Sequence, residues 1–438
     1  MRAPLAVLIL DFNDSEITLW RDDALLYRAP GVAHVDDAQV LFGDEAAQRS
    51  RLYPGQSHDQ FWRRLNAEAV APPGPTVANQ ADLVYLHLKA ILDAANANAG
   101  EDLVALAPGA ITGERLSLFL GIAREVGARV RAVVDGGVAG AAAGVPPADP
   151  EDRTCAVLDV TRHGGVVSTI DVAGAEVRRR NVVEVVEAGV NTVFEGWIAL
   201  AADRFVTETR LDPLRIAATE QQLFDRLWEL VSAGEGTRIE LSHDDGLRRV
   251  DVPREALARK AARNYDALAA AVGAADAIAV THRAARLPGL TERMRQLQQP
   301  VVELPEDALR QAVLDNAERI LGDGTTVRYL TALATRRGTE TATPAPQSAA
   351  PARYPPTHLL CAGVAVPLQQ CPDASDHPAC EARGPAFDIR VDDTQVHITP
   401  TSDDATTGDG PLRSKRPAWA GDTVLWQGIE FRLIAVEP

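Results

Sequence analysis

Three short segments of the 438-residue chain carry residues that could bind a metal–phosphate group: 9–16 (ILDFNDSE), 157–171 (VLDVTRHGGVVSTID) and 279–290 (AVTHRAARLPGL). Asp11 and Asp159 each end an apolar run, where a carboxylate could place metal-bound phosphates. Such a turn also needs glycine, because backbone N–H groups must approach the phosphate closely, often with positive φ. Bulky residues stand at most of those positions, and a non-glycine residue forced into that conformation costs about 1–3 kcal/mol. The carboxylates of a phosphate site are therefore present while most of its glycines are absent.

The first two segments belong to a plan that the chain repeats. Residues 5–28 predict an apolar strand that ends near Asp11, a polar turn and two further strands. Residues 155–180 repeat this plan around Asp159, about 150 residues later, which indicates two similar lobes. The predicted hairpin strands are Glu16–Trp20, Ala24–Arg28, Val166–Asp171 and Ala175–Arg180.

Helical periodicity follows each repeated unit. Apolar residues recur every three to four positions, which is typical of helices that pack one face on a core. Sheets flanked by such helices place the chain in the α/β class. The predicted helices are Ala81–Ala99, Gly113–Val126, Thr192–Phe205, Thr219–Ser232 and Pro253–Ala271.

The last hundred residues have a different composition. Residues 338–356 are rich in Pro, Ala and Thr without periodicity and predict a semi-rigid linker. Residues 357–438 alternate apolar and polar positions in short runs and predict a small all-β domain. Its predicted strands are Leu359–Val366, Phe387–Val391, Gln395–Thr399, Thr423–Trp426 and Glu430–Val436.

The order of segments through residue 321 resembles the ATPase domain of DnaK-type heat-shock chaperones, in the actin–hexokinase–chaperone superfamily. The resemblance covers about three quarters of the chain. It implies a duplicated, two-lobed actin-like ATPase fold, with lobe I at 1–150, lobe II at 151–337 and nucleotide between them. The stretches that carry it are LFGDEAAQRSRLYPGQSHDQFWRRL (41–65), VALAPGAITGERLSLFLGIAREVGARVRAVVDGGVAGAAAG (104–144), EAGVNTVFEGWI (187–198), THRAARLPGL (281–290) and LPEDALRQAVLDNAERI (304–320).

The resemblance also implies a set of nucleotide-site residues, with ATP and Mg²⁺ as cofactors. In an active protein, catalysis would fall to Asp11, Arg63, Asp135 and Asp159; Arg63 stands where the family has a lysine, and Asp135 where it has a glutamate. The implied cofactor contacts are Asp11, Asn13, Ser15, Asp159, Gly164, Gly165, Gly189, Ser232, His282 and Arg283.

Several positions depart from the family's pattern. Phe12 stands where the family has a glycine, and Asp14 adds a negative charge where a triphosphate would lie. The family's basic adenine clamp becomes Trp228 and Glu229, and its glycine pair becomes His282–Arg283. Because phosphoryl transfer needs all its parts at once, we predict a degenerate cleft without catalysis or cofactor. The predicted function is that of a scaffold or regulatory protein-binding module.

Two other functions stay open. One is a working ATPase with rearranged contacts, which uses Asp11, Asp135 and Asp159 around Mg²⁺. The other is a client-binding chaperone whose C-terminal β domain replaces the family's peptide-binding part. A cleft that is open and acidic at its base would favour the ATPase. A cleft plugged by the substituted side chains would favour the scaffold.

Composition narrows the partners. A net charge of −17 argues against non-specific binding to nucleic acid or to an anionic membrane surface. No apolar run approaches the roughly 18–20 residues of a membrane span. Four cysteines without a paired framework fit a reducing cytoplasm. We therefore expect a cytoplasmic protein whose partners are proteins, bound through the lobes or the β domain.

The C-terminal domain carries two further patterns. Cys361, Cys371, His377 and Cys380 could form a zinc set, although the usual C-x₂₋₄-C knuckle is missing; ordinary loop cysteines are the alternative. The closing stretch GDTVLWQGIEFRLIAVEP resembles the last strands of forkhead-associated domains, without the Arg, Ser and His pattern that reads phosphothreonine there. This domain is therefore expected to make protein contacts.

Overall fold

The computed structural model describes residues 7–335 apart from 75, 99, 146–152, 235–237, 244–245 and 323–326. It also describes residues 355–435 apart from 380–386, 393–394, 402–403 and 408–409. The predicted linker, 338–356, lies almost wholly outside the described residues. The described residues before it form two six-stranded sheets, three smaller sheets of two or three strands, and helices that flank the large sheets, as the α/β class requires.

The first sheet and its helices are built mainly from residues 7–145. The helix predicted at Ala81–Ala99 ends at Ala94, since Asn96 adopts a left-handed conformation with φ of 47°. The elements are β1 (Val7–Asp11), β2 (Ile17–Arg21), β3 (Ala24–Ala29), β4 (Ala33–Val35), β5 (Val40–Phe42), α1 (Gly43–Ala47), β6 (Ser57–His58), α2 (Phe61–Arg64), β7 (Ala69–Gly74), β8 (Val77–Asn79), α3 (Gln80–Ala94), β9 (Asp102–Ala107), α4 (Gly113–Glu125), β10 (Arg129–Asp135) and α5 (Gly136–Gly144).

Residues 153–334 contain the second sheet and its helices, a separate two-stranded sheet and one strand of the first sheet. Their bounds are β11 (Arg153–Val160), β12 (Gly165–Ala173), β13 (Glu176–Val185), α6 (Val190–Thr209), α7 (Ala217–Ala233), β14 (Arg238–His243), β15 (Gly246–Asp251), α8 (Arg254–Val272), β16 (Ala277–Val280), α9 (His282–Ala285), α10 (Leu290–Arg295), β17 (Val301–Glu303), α11 (Ala308–Asp315), α12 (Ala317–Leu321), β18 (Arg328–Leu330) and β19 (Ala332–Ala334).

The two sheets repeat one strand order. In the first, β3-β2-β1-β9-β10 are neighbours, and in the second β13-β12-β11-β16-β17. In each, the first three strands are antiparallel and the remaining neighbours are parallel. One segment departs from the predicted boundary at residue 151: β18 joins the first sheet beside β10, while β19 joins the second beside β13. The chain therefore crosses back between the lobes near its linker.

The C-terminal domain is all β. The strand predicted at Leu359–Val366 is wrong, because Ala362 and Gly363 have φ of 47° and 81° and turn the chain into a hairpin. The strands are β20 (His358–Cys361), β21 (Val364–Pro367), β22 (Phe387–Asp392), β23 (Gln395–Pro400), β24 (Thr406–Thr407), β25 (Gly410–Pro411), β26 (Arg416–Ala418), β27 (Thr423–Trp426) and β28 (Ile429–Ile434).

The hairpin of β20 and β21 docks the C-terminal domain on the first lobe. Leu360, Ala365 and Ile434 pack against the apolar core of that lobe. Gly121, in the middle of α4, lies close to Gly363 in the hairpin turn. A Cβ atom on Gly121 would lie 2.5 Å from the Gly363 carbonyl oxygen. The absence of a side chain at this helix position thus allows the two domains to touch.

Gly121→Ala should weaken this docking. A backbone carbonyl cannot give way as a flexible side chain does, so we expect a loss of about 1–3 kcal/mol in the free energy of unfolding in urea. Gly196→Ala, in the middle of α6, is the matched control, since its Cβ would meet Lys260 at an ordinary 3.6 Å. Helix propensity favours that change by up to about 1 kcal/mol. Equal stabilities for the two variants would contradict the docking role of Gly121.

Among the described helices, none combines the length and the apolar character that crossing a membrane requires.

Candidate functional site

Arg283 lies between the two strand-end carboxylates that the sequence singled out. Its Nη1 atom donates to Asp11 Oδ2 at 2.6 Å, and its Nη2 and Nε atoms donate to the two oxygens of Asp159 at 2.8 and 3.2 Å. All three side chains are almost completely buried. The guanidinium therefore ties the first lobe to the second at the point where a metal-bound phosphate would need the same carboxylates.

The strand ends explain why these three residues meet. Asp11 is the last residue of β1, Asp159 is the penultimate residue of β11, and β16 runs parallel to β11 and ends at Val280. Thr281 then caps the short helix α9 and donates its hydroxyl to Asp159 Oδ1 at 2.6 Å. Arg283, two residues further on, is thereby directed at both carboxylates.

Asn13 and Ser15, two of the implied cofactor contacts, bridge the lobes instead. The Asn13 amide donates to Asp159 Oδ2 and to the Val160 carbonyl oxygen, each at 3.1 Å. The Ser15 hydroxyl lies 2.8 Å from Asn13 Oδ1 and 3.0 Å from the Val160 carbonyl oxygen. Both side chains are buried, so their polar atoms are already committed to protein partners.

The pKa values of the two carboxylates shift in opposite directions, because burial dominates at Asp11 and favourable contacts dominate at Asp159. Burial raises the pKa of Asp11 above its ordinary value, and the Arg283 charge offsets only part of that rise. Burial also penalises the Asp159 carboxylate, but Arg283, Thr281 and the Val160 N–H together bring its pKa below the ordinary value. The same two carboxylates raise the pKa of Arg283 despite its burial. The guanidinium thus stays charged and supplies the positive charge of the site.

Little space is left around these groups. The cavity beside Asp11, Asp159 and Arg283 measures about 10 Å³, close to the smallest volume that holds one water molecule. Added Cβ atoms on Gly109 and Gly137, which line it, would lie 2.9 and 2.4 Å from the Ser168 hydroxyl. The base of the cleft as built does not fit a triphosphate with its magnesium ion.

The glycines of the second lobe serve packing within the protein. The Gly164 N–H donates to the Thr161 hydroxyl at 3.1 Å, so this amide has a partner. A Cβ on Gly164 would lie 2.8 Å from the Glu184 carboxylate, and one on Gly165 2.3 Å from Leu268. A Cβ on Gly189, before α6, would meet the His163 backbone at 2.4 Å. Backbone packing therefore favours glycine most strongly at Gly189, whereas Gly164 and Gly165 lie against the ends of the Glu184 and Leu268 side chains.

The other implied catalytic residues, Asp135 and Arg63, have partners of their own. Asp135 caps α5 and also accepts hydrogen bonds from Arg179 at 2.8 Å and from the Tyr329 hydroxyl at 3.0 Å. Arg63 pairs with Glu184 of the second lobe at 3.0 Å. Neither side chain has a described hydrogen bond or ion pair with Asp11 or Asp159, and the described partners of both are other protein groups.

The bulky substitutions occupy different places. Phe12, expected in the cleft, stacks on Phe119 in the first lobe's core with ring centroids 4.6 Å apart. Trp228 borders an outer part of the cleft, and Ser232 is exposed near the end of α7. His282 reaches across to Glu16 with an N–O distance of 2.7 Å. Arg283 alone among these side chains lies between the two carboxylates.

Asp14 forms another tie between the lobes. Its Oδ1 atom accepts the Arg162 N–H of the second lobe at 2.8 Å, while its buried Oδ2 has no hydrogen-bond partner among the described residues. Burial raises the pKa of this carboxyl above its ordinary value. Asp14 therefore joins one lobe to the other through the Arg162 backbone.

Glu16 and Thr281 are site residues that the sequence analysis missed. Glu16 accepts from His282 and, at 2.5 Å, from Arg286, so it joins the first lobe to α9 and the residue that follows it. A usable signal existed, because Glu16 ends the first phosphate-like segment while His282 and Arg286 lie in the third. Opposite charges in two segments expected to face one another could have predicted the pair.

The predicted zinc set is only partly described, since Cys380 lies outside the described residues. His377 has both ring nitrogens engaged, at 3.1 Å each, by the Val364 carbonyl oxygen and the Ala379 N–H. Cys371 donates its thiol to the Asp373 carbonyl oxygen at 3.1 Å. Within the described part of the chain, no three His, Cys, Asp or Glu side chains are grouped to bind a metal.

No protein-family model matches this chain, and no curated protein matches it significantly.

Proposed function

We propose that this chain is a diverged protein of the actin–heat-shock superfamily that works as a scaffold or regulatory binding protein, with a closed, inactive nucleotide cleft. The repeated strand order of the two sheets supports the duplicated actin-like fold. The observation that carries the functional proposal is the buried Arg283 guanidinium between Asp11 and Asp159.

The chemistry of phosphoryl transfer explains why this arrangement favours an inactive cleft. Catalysis of that kind positions a magnesium nucleotide and neutralises its developing charge. Here a guanidinium already binds both carboxylates that would be available to magnesium and compensates part of their charge. Nucleotide entry would require Arg283 to leave a site where all its partners are buried, which exposes an uncompensated carboxylate pair.

Further contacts hold the lobes in one arrangement. Asp59 of the first lobe faces His163 of the second at 3.3 Å and accepts from the Asn191 amide at 2.6 Å. Burial alone would lower the pKa of His163, but the Asp59 carboxylate raises it above its ordinary value. Fixed lobes suit a scaffold, whereas an ATPase of this superfamily would open and close them around its ligand.

The working ATPase has less support. It requires Asp135 beside magnesium, yet the Asp135 carboxylate is fully buried with Arg179 and Tyr329 as its partners. The client-binding chaperone would use the C-terminal domain, whose described contacts include the first lobe itself.

Titration calorimetry with Mg-ATP, together with a phosphate-release assay, tests the proposal. We expect binding weaker than about 1 mM, equivalent to about −4 kcal/mol, and no turnover above buffer. Micromolar affinity with a turnover that Asp11→Asn or Asp159→Asn abolishes would overturn the proposal and favour the ATPase. Asp203→Asn, an exposed carboxylate on α6, serves as the charge-matched control.

A further inference from the structure

A second, much larger cavity lies between the lobes, away from the Arg283 centre. Its volume is about 570 Å³, within the range of about 300–1,000 Å³ that is common for ligand pockets. Residues 44–59 of the first lobe form one wall, and helices α6 and α7 of the second lobe form the other. We call it the interlobe cavity.

Aromatic rings line the second-lobe wall of the interlobe cavity. Phe194 lies 4.9 Å from Trp228 and 6.1 Å from Phe224, measured between ring centroids. Phe224 and Trp228 are only half-buried, so part of each ring faces the cavity. Arg51 already lies over the Phe224 ring, 5.0 Å from its centroid. This wall therefore has the cation–π chemistry that positively charged groups use.

The charges of the cavity have a strong bias. Six carboxylates line it against two guanidiniums, so it carries four more negative than positive groups. Arg51 is matched by Glu195 and Glu220, and Arg162 lies 3.7 Å from Asp59. A surplus of this sign repels phosphates and other anions and raises the local concentration of cations.

Asp225 is the carboxylate best placed for a ligand. It follows Phe224 on α7 and precedes Trp228 by one turn, so the carboxylate and the aromatic wall share one helix. Its described hydrogen bond is from the neutral Gln221 amide at 2.8 Å. Burial raises the pKa of Asp225 above its ordinary value, as expected for a half-buried carboxylate whose hydrogen-bond partner is uncharged.

We propose that the interlobe cavity binds an organic cation, a guanidinium or ammonium group with its alkyl stem, between Asp225 and the aromatic wall. The carboxylate would accept hydrogen bonds from the charged head, and the rings would cover the stem and the cationic face. Such a group occurs on a basic side chain of a partner protein and in a free polyamine. The inference deepens the proposed function, since it gives the cleft a ligand of opposite charge to a nucleotide.

Calorimetry with three probes tests this site on the full-length chain. The probes are the blocked tripeptide acetyl-Ala-Arg-Ala-amide, its uncharged citrulline analogue and spermidine. We expect the arginine peptide to bind with affinity that falls as salt is added, and the citrulline peptide to bind at least about fivefold more weakly. Binding of the peptide without spermidine assigns the site to a partner's side chain; binding of spermidine alone assigns it to a free polyamine.

Two variants locate the binding. Asp225→Asn keeps the shape and the acceptor for Gln221 but removes the charge, and Trp228→Leu removes the ring while keeping an apolar side chain; each should weaken binding about fivefold or more. Asp203→Asn should stay within about twofold, since Asp203 is exposed on α6 and does not line the cavity. Circular dichroism checks that each variant is folded.

Several results would overturn the inference. Equal binding of the arginine and citrulline peptides would do so, as would no binding of either cation at millimolar concentration or equal losses in Asp225→Asn and Asp203→Asn. The outcome is separable from that of the proposed function. Mg-ATP binding and turnover would defeat the inactive cleft, while cation binding that depends on Asp225 would still stand.

Discussion

Replacing Arg283 by methionine should lower the free energy of unfolding by about 3–5 kcal/mol, because removal of one partner from a buried ion pair leaves uncompensated charge. Asp11 and Asp159 would remain buried beside each other without the guanidinium that now contacts both. Methionine keeps much of the side-chain length, so the loss reports on charge and hydrogen bonding more than on volume. Urea unfolding at neutral pH measures it.

A neutral version of the same cluster is the decisive comparison. The triple variant Asp11→Asn, Asp159→Asn, Arg283→Met removes all three charges, and such replacements are often close to neutral in stability. We therefore expect it to recover most of the loss seen in Arg283→Met alone. Arg215→Gln, whose side chain is 82% exposed, is the control and should stay within about 0.5 kcal/mol of the native chain. A loss below about 1 kcal/mol in Arg283→Met would contradict the role given to this residue.

Acid should weaken the chain through Glu16. Burial alone would raise the pKa of Glu16, but His282 and Arg286 lower it from 4.5 to about 2. A carboxylate whose pKa is lower in the folded state contributes stability that is fully present above the unfolded value and is lost as the pH falls through the folded one. Glu16 should therefore contribute about 3 kcal/mol to the free energy of unfolding above pH 4.5, and this contribution should disappear between about pH 4.5 and pH 2.

The variant Glu16→Gln isolates this contribution. It should be less stable than the native chain at neutral pH, and its stability should fall less steeply between pH 4.5 and pH 2. The measurement is the urea midpoint as a function of pH, with Glu208→Gln, an exposed carboxylate on α6, as the control. Parallel acid limbs in the native chain and Glu16→Gln would mean that other carboxylates cause the acid sensitivity.

These two predictions both concern contacts between the two lobes that start from the same short segment of the chain. Asp11, Asp14 and Glu16 lie within six consecutive residues that begin at the last residue of β1, and each contacts the second lobe through a different group. In the proposed superfamily this stretch would surround a phosphate. Here its three carboxylates accept hydrogen bonds from basic side chains and a backbone N–H group of the other lobe. The described hydrogen bonds of these three side chains to the second lobe are therefore part of the contact between the lobes.

Local structure was the most predictable level. The alternation in residues 16–28 predicted two strands that the structure has at Ile17–Arg21 and Ala24–Ala29. The helix predicted at Gly113–Val126 is present at Gly113–Glu125. These succeed because side-chain periodicity and turn residues act within a few positions of one another. The missed hairpin turn at Ala362–Gly363 shows the limit, since alanine rarely adopts the positive φ found there.

The position of β18 could not be predicted in the same way. The strand Arg328–Leu330 is too short for its sequence to favour one sheet over the other. It pairs with β10, which lies almost 200 residues earlier in the chain. The surroundings of Phe12 also depend on long-range packing. Its ring stacks in the first lobe's core and borders a small cavity that Thr161 and Glu184 of the second lobe also line.

The sequence by itself determined the α/β class, the repeated unit, the separate β domain and the carboxylates at the ends of β1 and β11, since periodicity and composition carry this information locally. Only the tertiary structure decided that Arg283 lies between Asp11, 272 positions away, and Asp159. It also decided that Asp225 and an aromatic wall border a separate cavity. Contacts between residues so far apart in sequence depend on how the two lobes pack. The net charge at each site depends on which side chains that packing brings together.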